Sequence, residues 1–405
     1  MIPLEIEVEL IDEDFDKIDF ERHYDLVGIT AMTQQVLRAY EIAAEFRSRG
    51  IPVVLGGMHA SVMSDEALNN VDSVVVGEAE LLWPRCLHDY NSKQPQRIYT
   101  HPTNIWPDIS ASPVPRYELL NKKILSRGAG YYNMVPIQAT RGCPHRCIFC
   151  AVTKVNGPVI RTKSVDQILH ELNALRSAVE SPLIMFADDN LFVNKQYARQ
   201  LLKALLKCGG VRWVAQSDIS IADDPNLLSL AYASGCVGFL IGLESLNEQS
   251  LVSVNDNRWK SKRLVEYSAA VQRIQEKGLV VHAAFVVGFD HDDTGTFERI
   301  RNFMVENHCG GQITILTPIP GSRLYYQLNA QGRLLRPEFW DQCNFFDVTY
   351  HPKLLSLTEL EEGLAWLYQE VFGDSVYQTR VDYMKAIYRK LPSRKMVGGS
   401  LIDNN

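Results

Sequence analysis

From about residue 134 to residue 320 the sequence repeats one pattern six times: a short apolar segment, a loop and an amphipathic helix. The apolar segments predict six strands, VPIQAT, LIMFAD, RWVAQS, CVGFLIGLE, VVHAAFVVGF and QITILTPIP. Four amphipathic helices are predicted between them: SVDQILHELNALRSAV, NKQYARQLLKALLKC, KRLVEYSAAVQRIQEKG and TFERIRNFMVEN. Ser164 and Asn194 stand where the N-caps of the first two are expected. Repeated β-α units build a parallel sheet, and six units can curl into a partial (β/α)6 barrel. Such barrels carry their functional residues at the carboxyl ends of the strands.

The flanking segments complete an α/β chain with four predicted parts. Residues 1–95 predict a small, truncated Rossmann-like unit, with strands VELI, DLVGIT, PVVLGG and SVVVGE and a helix that ends at Gly50. Residues 96–133 have the composition of a Pro-rich linker, with prolines at positions 102, 107, 113 and 115. Residues 134–320 form the predicted barrel, and residues 321–405 are expected to form a mixed C-terminal extension.

Composition excludes several classes of protein. The chain is 46% hydrophobic and 22% charged, as in ordinary soluble globular proteins. No apolar run reaches the roughly 18 residues that a membrane span needs, and the acidic N-terminus differs from a secretory signal. We therefore expect a cytoplasmic protein. A formal net charge of -7 argues against nucleic acid as a partner.

Three of the eight cysteines lie close together, directly after the first predicted barrel strand. The segment at residues 140–150 reads TRGCPHRCIFC, with Cys143, Cys147 and Cys150. In a chain that is not secreted, such clustering indicates a metal site rather than disulfides. Thiolates are the ligands that iron–sulfur clusters and zinc prefer. Two hypotheses remain: a 4Fe–4S cluster with one open iron, or a structural zinc completed by His145 or a remote cysteine. The position at the end of the first strand favours the cluster.

The motif C-x₃-C-x-aromatic-C, with Phe149 before the third cysteine, resembles the radical S-adenosylmethionine superfamily over roughly residues 134–320. The resemblance implies an enzyme whose open iron chelates the amino and carboxylate groups of S-adenosylmethionine. One electron then cleaves the cofactor to a 5′-deoxyadenosyl radical. It also implies a small-molecule substrate and an electron donor such as flavodoxin or ferredoxin. It identifies no catalytic residue that touches the substrate.

The resemblance extends to the ends of other predicted strands and implies contacts with S-adenosylmethionine there. The implied contacts, besides Phe149, are Ala187, Asp188, Asp189, Gln216, Ser217, Gly242, Glu244 and Pro318. The segment Ala187-Asp188-Asp189 lacks the glycines of the family's Gly-Gly-Glu element, and PIPGS at residues 318–322 is similar to the PxPGT turn of one subgroup. Simpler structural roles stay open: the two aspartates as helix caps, Gly238 and Gly242 as packing positions, and Gln216 as a solvated loop residue.

Two segments of the N-terminal unit, LGGMHA and VVVGEAE, resemble the cobalamin-binding domain of that same subgroup. The glycine pair Gly56-Gly57 would let a flat macrocycle or its nucleotide tail approach the backbone. The sequence departs from the pattern because it begins at what is normally the second strand, without the D-x-H-x-x-G loop. Neither His23 nor His59 is therefore assigned as a cobalt ligand, and cobalamin binding is left open.

Three functional hypotheses follow. The main one is a radical enzyme that abstracts hydrogen from an unactivated C–H bond of a small, biosynthetic molecule without cobalamin, with the N-terminal unit kept as a lid or dimer surface. The first alternative is a cobalamin-dependent radical C-methyltransferase. The second alternative is a zinc-stabilised binding protein without catalysis. Methylthiotransfer is disfavoured because that group needs three further cysteines in its N-terminal unit, where this chain has only Cys86.

Overall fold

The computed structural model describes residues 1–3, 5–102, 105–119, 134–179 and 182–391. Residues 120–133 of the predicted linker and 392–405 of the predicted extension lie outside the described residues. The chain divides into two compact units. The first contains Met1–Leu125, Gly142–Arg161 and Thr317–Tyr350, and the second contains Ser126–Arg141, Thr162–Leu316 and His351–Asn405. These units do not follow the linear boundaries at residues 95, 133 and 320, because the segment with the three cysteines groups with the N-terminal part. We call residues 142–161 the cysteine loop.

The first unit contains a parallel four-stranded sheet in the order β1-β2-β3-β4. Its strands are β1 (Val27–Thr30), β2 (Val53–Gly56), β3 (Ser73–Val76) and β4 (Ile98–Thr100). Its α-helices are Val36–Ser48, Gly57–Val62, Ser64–Ala67, Leu82–Asn91, Val152–Val155 and Arg323–Ala330. The last of these packs with the N-terminal sheet in one hydrophobic core, which also contains Phe339 and Trp340.

Two predictions for this sheet were wrong. VELI, at residues 8–11, forms no strand, because its apolar residues follow and flank exposed acids such as Glu7 and Glu9, and Leu10 itself stays exposed. Instead, β4 comes from the segment predicted as linker. Its Tyr99 is only 1% exposed and pairs with Val75 of β3, so burial of one aromatic ring outweighs the surrounding prolines.

The strand β1 forms one edge of the sheet and pairs, within the described residues, only with β2. Its Gly28 and Thr30 are exposed. A cavity of about 700 Å³ lies beside it and is lined by β1, by residues 9–14 and 16, and by part of the helix Val36–Ser48. Within the described residues, this side of β1 faces the cavity rather than another strand, and we call it the open edge of β1.

The second unit contains the predicted barrel strands. They are β5 (Met134–Ile137), β8 (Leu183–Phe186), β9 (Arg212–Ser217), β10 (Cys236–Glu244), β11 (Val280–Val287) and β12 (Gly310–Ile315). Two further strands of two residues each, β6 (Thr140–Arg141) and β7 (Arg161–Thr162), lie at the two ends of the cysteine loop. The six long strands form one parallel sheet in the order β12-β11-β10-β9-β8-β5. Sequential order with all strands parallel confirms the predicted (β/α) barrel arrangement.

The helices of the second unit include the four predicted between the barrel strands, with differences in number and continuity. They are Val165–Ala178, Lys195–Cys208, Pro225–Ala233, Glu248–Val254, Trp259–Arg263, Tyr267–Gln275, Gly295–Glu306, Leu357–Phe372 and Asp374–Tyr388. Both predicted N-caps are confirmed, since the side chains of Ser164 and Asn194 accept hydrogen bonds from backbone N–H groups three residues on. The helices Pro225–Ala233 and Glu248–Val254 were not predicted. The segment KRLVEYSAAVQRIQEKG, predicted as one helix, is interrupted by a short 3₁₀ turn at Leu264–Glu266.

Two C-terminal helices complete the second unit, in agreement with the predicted mixed extension. The buried guanidinium of Arg380 donates to the carbonyl oxygens of Cys309 (2.8 Å) and Val371 (2.7 Å), which ties the last helix to the start of β12. In the described part of the chain, no helix is both long and apolar enough to cross a membrane.

Candidate functional site

The cysteine loop is closed by its own backbone. The amide of Cys143 donates to the carbonyl oxygen of Gly157 (3.1 Å), and the amide of Cys150 donates to that of Cys147 (3.1 Å). Gly142 has φ +97°, and a Cβ there would lie 2.4 Å from the carbonyl oxygen of Val159. Only glycine therefore fits at the position just before the first cysteine.

The three cysteines fit the donor set of an iron–sulfur cluster. All three are half-buried, and none of them is in a disulfide. Among the described residues, no three His, Cys, Asp or Glu side chains converge on one metal ion. A cluster distributes its thiolates over different irons, so its ligands need not converge on a single point. Phe149, before the third cysteine, is half-buried as well.

A second segment of the first unit holds the cysteine loop from outside. The amide of Leu324 donates to the carbonyl oxygen of Ile148 (2.8 Å), and the guanidinium of Arg323 donates to that of Arg146 (3.0 Å). These residues follow the PIPGS turn, in which Pro318 is buried. Gly321 of that turn has φ +85°, and a Cβ there would lie 2.5 Å from Val62. The turn thus packs closely against the helix Gly57–Val62 in the same unit.

The remaining predicted cofactor contacts lie at the carboxyl ends of three neighbouring strands in the second unit. Ala187, Asp188 and Asp189 follow β8, Gln216 and Ser217 end β9, and Gly242 and Glu244 end β10. The strands are in register, with Phe186 beside Ala215 and Ser217 beside Ile241. The backbone carbonyl of Gln216 accepts a hydrogen bond from Leu191, which joins the ends of β8 and β9.

Asp188 differs from its predicted role. Its side chain is completely buried, and its two carboxylate oxygens accept hydrogen bonds from the backbone amides of Ala139 (3.3 Å) and Thr140. Burial raises the pKa of this carboxyl to about 7, against the opposing effect of those hydrogen bonds. The carbonyl of Ala139 in turn accepts from the amide of Lys163 (2.9 Å). Asp188 therefore fixes the chain where it enters the cysteine loop. Asp189 is the acid left as a candidate for the cofactor.

Glu244 is held in a strained position by a residue that sequence reasoning missed. It has φ +70°, which is uncommon for any residue but glycine. The ammonium group of Lys260 donates to the carbonyl oxygen of Gly242 (2.7 Å) and to Oε1 of Glu244 (2.6 Å). A Cβ on Gly242 would lie 2.5 Å from that same Oε1, so this glycine makes room for the folded-back carboxylate. Gly238 is instead a packing position, because a Cβ there would lie 2.4 Å from the carbonyl oxygen of Val280.

The glycines of the N-terminal sheet have two different roles. Gly57 has φ +91°, and a Cβ there would lie 2.8 Å from the carbonyl oxygen of Ala31, so it is a packing position. A Cβ on Gly56 would meet nothing closer than 3.9 Å, and one on Gly77 would meet nothing within 4 Å. Ser61 bridges these two strand ends, donating to the carbonyl of Gly57 and accepting from the amide of Gly77. The open backbone at Gly56 and Gly77 fits the approach of a flat ligand such as a corrinoid.

Neither histidine of this unit is placed as a metal ligand. His59 is completely buried, and its Nε2 lies 2.8 Å from Oε2 of Glu66, which also accepts a hydrogen bond from Tyr40. The Trp340 ring system packs edge-on against the imidazole at 5.2 Å between centroids. His23 is exposed beside Asp25. His59 therefore supports the core next to the glycine pair.

Arg161, the last residue of the cysteine loop, was also missed by sequence reasoning. Its guanidinium forms a bidentate ion pair with the carboxylate of Glu78, which follows β3 by two residues. Only 15% of the arginine side chain and 4% of the glutamate side chain are exposed. The residues are 83 positions apart, so no local pattern could have predicted the pair.

Comparison with known proteins agrees with these features. Residues 137–304 match the radical SAM superfamily, and residues 2–86 match the B12 binding domain. The bacteriochlorophyllide d C-12(1)-methyltransferase of Chlorobaculum tepidum is 30% identical over 361 residues, which cover 88% of this chain and 77% of that protein. The C-8(2)-methyltransferase of the same organism is 29% identical over 395 residues, covering 94% and 86%.

A solved structure has the same fold. The radical S-adenosylmethionine methyltransferase TsrM from Kitasatospora setae, with cobalamin and a [4Fe-4S] cluster bound, superposes with a TM-score of 0.66 at 15% identity, covering 94% of this chain and 90% of that one. The chain belongs to the radical S-adenosylmethionine superfamily. It is an enzyme, which sets aside the zinc-stabilised binding protein, and its N-terminal part is of the B12-binding type.

Proposed function

We propose that this protein is a cobalamin-dependent radical S-adenosylmethionine C-methyltransferase. The observation that carries the proposal is the composition of the first compact unit, in which the cysteine loop packs with the residues that match the B12 binding domain. The two methyltransferases of Chlorobaculum tepidum support it, since each aligns with most of this chain. These findings favour the alternative hypothesis over the main one, hydrogen abstraction without cobalamin.

Residues of both units would bind the cofactors. Cys143, Cys147 and Cys150 bind the cluster, and the open backbone at Gly56 and Gly77 admits the corrinoid. Asp189 and Glu244 are the acids that would orient S-adenosylmethionine, together with the neighbouring strand-end residues Ala187, Gln216, Ser217 and Gly242, and with Phe149 and Pro318. When bound, the cluster supplies the electron that cleaves the cofactor, and cobalamin supplies the methyl-carrying centre.

The substrate class we propose is a small tetrapyrrole of the chlorophyllide type. The support is the activity of the two Chlorobaculum tepidum relatives, which are methyltransferases of bacteriochlorophyllide d. We also propose that a flavodoxin- or ferredoxin-type protein delivers the electron, and that nucleic acid is not a partner, given the net charge of -7.

The test begins with protein purified anaerobically from cells supplied with cobalamin. The proposal predicts one cobalt per chain, retained through gel filtration. With trideuteromethyl S-adenosylmethionine, a low-potential reductant and a chlorophyllide, it predicts a product heavier by one deuterated methyl group. S-adenosylhomocysteine and 5′-deoxyadenosine should form in equal amounts, because one cofactor molecule donates the methyl group and another the radical. Turnover that is unaffected by cobalamin would contradict the proposal.

A second candidate is the radical enzyme without cobalamin. It is favoured by the open edge of β1, beside which residues 8–11 form no strand that could wall a nucleotide tail. Protein without cobalt that still forms 5′-deoxyadenosine and a non-methylated product would establish this candidate instead.

A further inference from the structure

The ion pair between Glu78 and Arg161 joins the two parts of the first unit that carry different cofactors in the proposed function. Glu78 follows β3 of the B12-type domain, and Arg161 is the last residue of the cysteine loop. We propose that these two residues are positioning residues that fix the cysteine loop against the B12-type domain. That the pair fixes the loop is independent of the proposed function. Any effect on the distance between cluster and corrinoid rests on the proposed function.

Both terminal nitrogens of the Arg161 guanidinium are directed at this junction. Nη1 donates to Oε2 of Glu78 (2.8 Å) and to the carbonyl oxygen of Pro107 (2.7 Å). Nη2 donates to Oε1 of Glu78 and to the carbonyl oxygen of Asn156 (2.7 Å), inside the loop itself. The planar guanidinium thus connects three segments of the chain with four hydrogen bonds, two of them bidentate to one carboxylate, whereas a lysine ammonium has three donors and no such fork.

An aromatic contact covers the same junction. The guanidinium carbon of Arg161 lies 5.5 Å from the centroid of the Trp106 ring, within cation–π distance. The other side of the loop approaches the same ring, since a Cβ on Gly157 would lie 2.6 Å from Trp106. Gly157 also accepts the hydrogen bond from the amide of Cys143, the first cluster ligand. The ion pair is therefore linked to the backbone of the first cluster ligand through Trp106 and Gly157.

Because the ion pair is buried, breaking it is costly. Removing one partner of a buried charge pair takes away the opposite charge that stabilises the other, so the loop would have to move to hydrate the remaining charge. A shift in the loop changes the position of the cluster relative to the strand ends of the B12-type domain. In the proposed function, such a shift would therefore change the distance between the two cofactors that this unit would hold.

Hydrogen exchange tests the fixing of the loop directly. The full chain, reconstituted anaerobically, is compared with Glu78→Gln, Arg161→Lys and Arg161→Gln. Peptides covering residues 142–161 should exchange roughly ten- to hundredfold faster in the Gln variants than in the parent, as expected for loss of a charged hydrogen bond. In Arg161→Lys, the exchange rate of these peptides should lie between that of the parent and that of the Gln variants. Arg47→Gln is the matched control, because it removes the pair with Asp72 (3.1 Å) from the same unit without touching the loop.

If a Gln variant fails to fold, Glu78→Asp and Arg161→Lys provide the comparison. Parental exchange in all loop variants would overturn the proposal.

Magnetic coupling between the reduced cluster and bound cob(II)alamin tests the distance. The parent should give one well-defined dipolar interaction. Glu78→Gln should give a weaker interaction with a broader distribution, while its iron and cobalt contents equal those of the parent. An unchanged interaction in both Gln variants would overturn the positioning role. A parent without cobalt would contradict the proposed function alone, since the exchange experiment would still decide whether the pair fixes the loop.

Discussion

The ammonium group of Lys260 lies 2.6 Å from Oε1 of Glu244, and the two side chains are only 6% and 12% exposed. Glu244 ends β10, whereas Lys260 belongs to a helix two elements later in the chain. The lysine also holds the carbonyl oxygen of Gly242. A buried cation thus stabilises the left-handed backbone at the end of β10, next to the predicted cofactor contacts.

The first prediction concerns this pair. Lys260→Met should lower the free energy of unfolding by about 3–5 kcal/mol, because it leaves a buried carboxylate without a partner. The double variant Lys260→Met/Glu244→Leu should recover part of that loss. Arg299→Met, which breaks the exposed pair with Asp293, should cost about 1 kcal/mol or less. Urea unfolding of all three measures the differences, and equal losses for the two single variants would refute the prediction.

The second prediction concerns cofactor binding. Asp189→Asn and Glu244→Gln should weaken binding of S-adenosylmethionine about tenfold or more, as expected when a charged hydrogen bond is lost, while the iron content stays at the parental level. Equilibrium dialysis and the cofactor-induced change in the cluster's EPR spectrum measure this. Glu248→Gln, in the helix after β10, is the control. If both strand-end variants bind as the parent does, these acids have only a structural role.

The third prediction is a pH dependence that arises from Asp188. Because its pKa is raised from 3.8 to about 7 in the folded protein, the native state keeps a proton that the unfolded chain loses above about pH 4. The contribution of this group to the free energy of unfolding should therefore fall as the pH rises from about 4 to about 7. Asp188→Asn, which cannot ionise, should flatten that part of the stability profile.

Asp292 provides the matched comparison for Asp188. It is also completely buried, accepts from the backbone amides of Gly288 and Phe289, and has a pKa raised to about 6, mainly by burial. Asp292→Asn should flatten the stability profile over a narrower range, from about pH 4 to 6. Only Asp188→Asn should also lower the iron content after reconstitution, since only Asp188 binds the entrance of the cysteine loop. Equal iron in both variants would show that the entrance does not affect cluster assembly.

The fourth prediction concerns the cluster itself. Reconstituted protein should be brown and contain about four irons per chain. Replacing Cys143, Cys147 or Cys150 by alanine should abolish both the colour and the formation of 5′-deoxyadenosine. Cys86→Ala, at a buried position of the N-terminal unit, should change neither. Retention of the cluster in any of the three loop variants would require a different ligand set.

Much of the fold is predictable because it rests on local patterns. The six barrel strands are apolar runs separated by amphipathic helices, and the caps at Ser164 and Asn194 depend only on residues within one turn. The helix at Pro225–Ala233 carries the same kind of signal, since Asp224 caps it and proline takes its first position. That helix could have been predicted.

The site itself is less predictable, because its contacts join distant positions. The cysteine motif identifies the cluster ligands, but nothing local pairs Glu78 with Arg161 or Lys260 with Glu244. The partners of Asp188 are likewise set by how β5 and β8 lie side by side. The strand β4 was missed for a related reason, since Tyr99 becomes buried only when β3 is beside it.

The open edge of β1 has a consequence for how copies of this protein behave in solution. An unpaired strand edge is a template for another chain, and two such edges can join into a continuous sheet. Here the cavity beside the edge is lined by Glu9 and Glu13, which pair with Arg22 and Arg38, and by the further acids Asp12, Asp14 and Asp16. Two copies that met along β1 would bring two of these acidic segments together, and their mutual repulsion opposes self-association. Because salt screens charges beyond about 10 Å at 0.1 M, concentrated salt should promote aggregation through this edge.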